Sequence, residues 1–246
     1  MNIRDTVISE VRKHLGNNSN KSGAVLYNGW GTLCTSNEGL CIMGFNPGGD
    51  PDKIETSVVK SLEDIKENHC SYEDECWKCP KDWDCQNKEH FGIKPHQKRV
   101  KLLAKILGYD IRKVLAVNAI FIRSTNSKNL QGHTESTKLF EECWPVHRLF
   151  LSIVKPKVIL CLGNGEVMSS FALLREKLAL KPDQIRSHGQ VKVFSSAIAV
   201  SGGETINSHV IGVRHPSQPW FNPTEDLRLY LQKNPDVMSG QRWSEA

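Results

Sequence analysis

Apolar and polar positions fall into blocks that alternate between the helical period and unbroken apolar runs. Ile3, Val7, Ile8, Val11 and Leu15 recur at helical spacing and predict an amphipathic opening helix. Asn17 to Gly23 is polar and reads as a loop, and Ala24 to Tyr27 predicts a short strand. Leu40 to Met43 is a fully apolar run of the kind that parallel strands buried on both faces require. The Gly/Asn/Pro/Asp cluster from Gly44 to Pro51 then dictates a tight turn. Ile54, Val58, Val59, Leu62 and Ile65 predict a short helix. Another is predicted from Pro95 to Leu107, closed by Gly108. Val114 to Ile122 is a second buried strand, interrupted by one polar residue, Asn118. A long helical stretch spans Ser136 to Val154, and Pro145 should kink or split it. Val158 to Gly163 is a third strand, with a helix from Gly165 to Lys177. Two more strands are predicted near Val191 to Val200 and Ser208 to Val213. A last helix runs from Pro223 to Leu231, with Asn222 as its N-cap. Strands alternating with helices predict an α/β fold, a three-layer sandwich whose central, mostly parallel sheet is covered on both faces.

A length of 246 residues favours one domain over residues 1–246, and 39% hydrophobic with 24% charged residues describes a globular chain with a real core. The net charge of +5 permits nucleic-acid binding without demonstrating it. No apolar run approaches the roughly 18 residues of a membrane span. The opening residues lack an apolar signal region, so a cytoplasmic monomer is expected, its cysteines mostly reduced. Residues 67–90 depart from the rest: they hold His69, Cys70, Cys76, Trp77, Cys79, Trp83, Cys85 and His90 but few aliphatics, and read as a cysteine-rich insertion. Cys70, Cys76, Cys79 and Cys85 include one C-x2-C knuckle and offer four ligands to a structural zinc, with His69 or His90 as substitutes; a metal-free segment is the alternative. Its acidic residues (Glu73, Asp74, Glu75, Asp82, Asp84) argue against a direct grip on phosphates. Cys34, Cys41, Cys143 and Cys161 sit among apolar residues and read as inert core thiols. Lys94, His96, Lys98, Arg99, Lys101 and Lys105 give the helix after this segment a basic face.

Three short motifs then carry a resemblance. Gly44-Phe45-Asn46-Pro47-Gly48 follows the first apolar strand, Asn118 lies within the second, and His215-Pro216-Ser217 closes a late one. In that order they resemble the uracil-DNA glycosylase superfamily, and above all its mismatch-specific and single-strand-selective branches, which carry G-x-N-P-G. Val158 to Gly163 is similar to the family's apolar strand ending in Leu-Gly, and Phe91-Gly92 resembles the Phe-Gly pair of the single-strand-selective branch. The similarity covers roughly residues 38 to 222, leaving out the cysteine-rich segment.

The resemblance implies a uracil-DNA-glycosylase-like fold and a monofunctional DNA glycosylase that extrudes a base and hydrolyses its N-glycosidic bond without a cofactor. Asn46 matches the residue that orients the attacking water, and His215 matches the donor to the base oxygen where negative charge develops. Asn118 matches the reader of the base edge, and an amide can serve uracil-like or cytosine-like edges by rotation. Gly44, Phe45, Pro47, Gly48 and Phe91 would complete the base pocket, with Phe91 either stacking on the base or serving as a core residue. Gly49 and Ser217 would meet DNA phosphates, and Gln218 to Trp220 would fill the hole left by the base. Gly48 replaces the tyrosine that, in the commonest branch, blocks 5-substituted pyrimidines. The expected substrate is therefore a mismatched or modified pyrimidine, including bulky modified cytosines of phage DNA, in repair or in phage defence. Thermostable branches bind an iron–sulfur cluster through cysteines spaced differently from these, which adds a second metal option. The alternative function is a non-catalytic DNA-binding protein of the same fold that recognises modified bases.

Overall fold

A computed structural model of the chain describes residues 2–33, 39–52, 56–77, 87–124 and 133–238. Its centre is one six-stranded sheet of β1 (Leu40–Gly44), β2 (Leu115–Asn118), β3 (Val158–Leu162), β4 (Arg186–His188), β5 (Val191–Ala199) and β6 (Thr205–Val213), in the order β2-β1-β3-β6-β5-β4. The first four of that order run parallel, with Met43 opposite Val117 and Cys161, and Leu162 opposite Val213. β5 and β4 are antiparallel additions at one edge, so the sheet is mixed. The β5–β6 hairpin turns through Gly202 and Gly203 at φ 83° and 80°, a backbone region that glycine enters without steric cost.

Successive strand residues feed two separate cores, as the two-residue period demands. Cys41, Met43, Val117, Ile159 and Cys161 face one side. They meet α1 (Ile3–Leu15), α2 (Val58–Asp64), α5 (His133–Val154) and α6 (Ser170–Lys177). Leu40, Ile42, Ala116, Leu160 and Ile211 face the other side and meet α4 (Pro95–Ile106) and α7 (Thr224–Lys233). Helices thus cover both faces, in agreement with three layers. No helix among the described residues is long and apolar enough to cross a membrane.

Several local expectations are corrected. Ala24 to Tyr27 forms no ladder; it makes isolated bridges, Gly23 to Ile122 and Leu26 to Val117, and so lies across the exposed side of the edge strand β2. Pro145 does not split α5. Trp144 and Val146 on either side of it are buried, and that packing outweighs a loss of about 3 kcal/mol for an interior proline. Asn222 does not cap α7, whose first flanking residue is Pro223, without a side-chain cap. The start of the cysteine-rich segment is not peripheral. Cys70 and Tyr72 are buried in the α4-side core around the short helix α3 (Ser71–Asp74). Gln97 of α4 ties that helix down by donating to the carbonyls of Ser71 (2.8 Å) and Glu75 (2.9 Å).

Candidate functional site

β1 and β2 end level with one another, Gly44 opposite Asn118. Beyond them the two loops stay paired: Ala119 donates to the Gly44 carbonyl (2.8 Å), Ile120 to Phe45 (2.9 Å) and Ser124 to Pro47 (3.2 Å). A Cβ on Gly44 would stand 2.5 Å from Asn118 Oδ1, so glycine at 44 is what leaves room for the amide. Asn118 is only 3% exposed, and its Nδ2 makes no hydrogen bond of good geometry, the side chain it approaches being Tyr27. Leaving such a donor unmet costs about 1–3 kcal/mol. Beside this amide stands the buried Tyr27 hydroxyl, whose pKa burial raises.

Asn46 is half-buried at the first turn after β1. Its Nδ2 donates to the Pro47 carbonyl (3.0 Å) and to Ser124 Oγ (2.8 Å). A carbonyl can only accept, so the amide orientation is fixed and Oδ1 is the atom left to accept from a further group. Phe45 and Pro47 are buried, Phe45 in the α5-side core, so Phe45 lines the turn with its backbone. Gly48 is exposed, and its carbonyl accepts from Arg123 Nη1. Arg123 also reaches Ser22 Oγ (3.2 Å), which ties the loops after β1 and β2 to the segment crossing β2.

His215 follows β6, which lies beside β3. Ser217 Oγ lies 2.6 Å from its Nδ1, and the Ser217 backbone N–H donates to the same nitrogen (3.3 Å). Because a backbone N–H can only donate, Nδ1 accepts and the neutral ring carries its proton on Nε2. Burial lowers the pKa of this imidazole, which favours that neutral form. Ser217, Gln218 and Trp220 are all exposed on the same loop, Trp220 by 62%.

Between these groups runs a chain of rings that the sequence reading did not assemble. Tyr27 and Tyr72 both pack on Trp77 (centroids 5.8 and 5.3 Å), Trp77 on His96 (5.4 Å), and His96 on His215 (5.2 Å). Trp77 Nε1 donates to Glu75 Oε2 (2.9 Å), while Glu75 Oε1 accepts from Ser71 Oγ (2.9 Å) and lies 2.8 Å from His69 Nε2. Burial works to raise the Glu75 pKa, but the bonds from His69, Trp77 and Ser71 hold it below the usual value. Phe91 instead ends a short 3-10 turn (Lys88–His90), half-buried and without ring contacts among the described residues. The ring beside Asn118 is that of Tyr27, and the ring packed on it from the segment after the first motif is Trp77. Its signal in the sequence was only an aromatic residue soon after the first motif, which several residues satisfy.

Of the four cysteines offered to zinc, Cys70 and Cys76 lie within the described residues. Cys70 is fully buried, its thiol pushed up to about 11 by burial, and Cys76 is disulfide-bonded. Cys79 and Cys85 lie outside the described residues, as does Cys34. Among the described residues no group of three or more His, Cys, Asp or Glu is placed to hold a metal ion. Cys41, Cys143 and Cys161 are buried free thiols raised by desolvation, Cys41 and Cys143 to about 12, as inert core residues should be.

Behind the site, the fully buried His147 of α5 donates from Nε2 to the Ala119 carbonyl (2.9 Å), fixing the backbone next to Asn118. Burial pushes its pKa from 6.5 down to about 4. Between those values the unfolded chain binds more protons than the folded one, so stability is full above about pH 6.5 and falls as pH drops toward 4. The whole difference corresponds to roughly 3 kcal/mol. Thermal unfolding followed from pH 7 to 4 should show a falling midpoint, and His147→Phe should flatten that fall.

The chain matches no protein-family model and no curated protein.

Proposed function

We propose that the chain is a DNA glycosylase that extrudes a pyrimidine nucleotide and hydrolyses its N-glycosidic bond. The observation that carries this reading is Asn118, a buried amide at the carboxyl edge of the parallel strands whose Nδ2 has Tyr27 beside it but no hydrogen bond of good geometry. That edge is where open α/β sheets bind ligands, and a base edge is a ligand that offers the missing acceptor. Two further groups around the same edge support it. Asn46 has its NH2 spent on Pro47 and Ser124, which leaves Oδ1 to accept from a water. His215 has Nδ1 engaged by Ser217, which leaves Nε2–H to donate.

In the proposed reaction the C1′–N bond breaks and the base leaves with its electron pair. The Nε2–H of His215 stabilises the charge on the base oxygen, and a water held by Asn46 Oδ1 adds to C1′ and releases its proton to solvent. An amide positions the water without deprotonating it, so the turnover relies on leaving-group stabilisation. Tyr27, which stands beside Asn118, and Trp77 packed on it supply an aromatic wall to the pocket.

The test is base release. The protein is incubated with oligonucleotides carrying uracil, mismatched thymine, 5-hydroxymethylcytosine or glucosylated 5-hydroxymethylcytosine, and alkali-labile sites are scored. Release of one base, falling about 100-fold in Asn46→Ala, is expected. Silence across the panel with DNA still bound would replace this reading with that of a non-catalytic reader of modified bases.

A further inference from the structure

The loop that carries His215 is held from outside its own strand. Arg99 of α4 donates from Nη1 to the carbonyl of Pro216 (2.6 Å) and to that of Gln218 (2.8 Å). Its guanidinium also lies over the Phe221 ring, 5.3 Å from the centroid. One turn earlier on the same helix, His96 lays its ring against that of His215, with an interplanar angle of 56°. Residues three apart share a helix face, so one face of α4 touches both the backbone and the imidazole of this loop. The helix itself is anchored by Val100, Leu103 and Ala104 in the core below the sheet, and Gln97 pins it to the segment that bears Trp77.

We propose that His96 and Arg99 are positioning residues for His215: Arg99 fixes the path of the loop, and His96 packs the imidazole so that Nε2–H stays aimed at the substrate in the neutral ring. This rests on the glycosylase reading for its kinetic consequence, but the geometry of the imidazole is measurable without any substrate. The loop from Arg214 to Asn222 has no helix or strand and is mostly exposed, and its internal bonds (Gln218 N–H to the His215 carbonyl, Phe221 N–H to that of Gln218) join only near neighbours, so they do not set where the loop sits on the sheet. A displacement of about 1 Å at a reacting group can cost 100-fold in rate. Arg99 suits the task because a planar guanidinium meets two carbonyls from one rigid fork and stacks on an aromatic face as well. The charged and titratable groups around the imidazole are His96 and Arg99 on α4, Glu75 behind Trp77, and Arg214 on its own loop.

The test uses the full chain in two arms. In the first, 15N-labelled protein is titrated and the His215 ring nitrogens are followed in wild type, Arg99→Met, Arg99→Lys, His96→Ala and His96→Phe. Wild type is expected to show the Nε2–H tautomer and to titrate below the ordinary histidine range. His96→Ala should move the titration up toward that range and His96→Phe should restore it, since the ring and not its charge is what packs. In the second arm, kinetics on the base that wild type releases should show kcat falling about 100-fold in Arg99→Met with little change in KM, and about tenfold recovery in Arg99→Lys. Thermal midpoints taken alongside separate this from partial unfolding. Unchanged His215 nitrogens in both Arg99→Met and His96→Ala would overturn the proposal, as would a kcat loss that only follows the unfolded fraction. If wild type releases no base, the glycosylase reading fails while the nitrogen arm still decides this one.

Discussion

His215→Ala is expected to slow base release about 100- to 1,000-fold, the usual scale for one hydrogen-bond donor aimed at a developing anion. DNA affinity should hardly change, because that donor acts on charge which appears only as the glycosidic bond breaks. His215→Gln should fall between the two, since its amide can still donate from nearly the same place. The pH dependence carries the sharper test. Burial lowers the His215 pKa below its ordinary 6.5, and Ser217 occupies Nδ1, so the reactive form is the neutral ring with its proton on Nε2. Rate should therefore stay flat as pH falls through 6.5 and decline only at lower pH, when a second proton arrives and breaks the Ser217 contact. A rate that instead rises as pH falls through 6.5 would mean an imidazolium is the donor, and the mechanism would need to be rewritten. The measurement is single-turnover release between pH 5 and 8, compared with the same profile in His215→Gln, which has nothing to titrate.

How far the sequence reaches is clearest at Asn118 and Trp77. Leu115 to Val117 and Leu40 to Met43 announce themselves as strands because each run must be apolar on both faces, and both faces of this sheet are in fact covered. A lone Asn interrupting such a run is legible as an oddity, since burying an amide is costly, and the family resemblance is what makes it a functional candidate. What the sequence cannot supply is the partner across space. Tyr72, Trp77, Trp83 and Phe91 all follow the first motif, and only the resemblance of Phe91-Gly92 to a family Phe-Gly pair singles out Phe91. Trp77 is held where it is by Glu75, which accepts from its indole N–H, and by Tyr27 and Tyr72, on which its ring packs. The same blindness explains Ala24 to Tyr27. Its composition suits a strand, but only the edge of β2 is open to it, and it crosses that edge with single bridges. The β5–β6 hairpin was read as two strands without its antiparallel sense, which depends on the short connection through Gly202 and Gly203 closing back on itself. Arg99 looked like one more charge on a basic face; only the fold brings residues 216 and 218 to it.

Gly48→Tyr is expected to convert a broad pocket into a narrow one. A Cβ built on Gly48 meets no atom within 4 Å, and its backbone is not in the left-handed region that would demand glycine. Neither packing nor backbone geometry therefore demands glycine at this position, and the family resemblance is what sets it beside the 5-position of the base. Arg123 bonds the carbonyl of Gly48 and not a side chain, so the loop keeps that tie when a ring is added. The variant should fold with an unchanged thermal midpoint. It should still release uracil if wild type does. A ring standing where the 5-substituent would sit should cut release of 5-substituted pyrimidines by well over the factor of about 10 to 200 that one methylene is worth in a fitted pocket. Competition assays pairing uracil with thymine or 5-hydroxymethylcytosine in one tube read this ratio directly, independent of enzyme concentration. If wild type already refuses every 5-substituted base, or if the tyrosine leaves the ratio where it was, Gly48 is not a boundary of the pocket. The substrate's 5-position must then face another wall, and Trp77 is the side chain to change next.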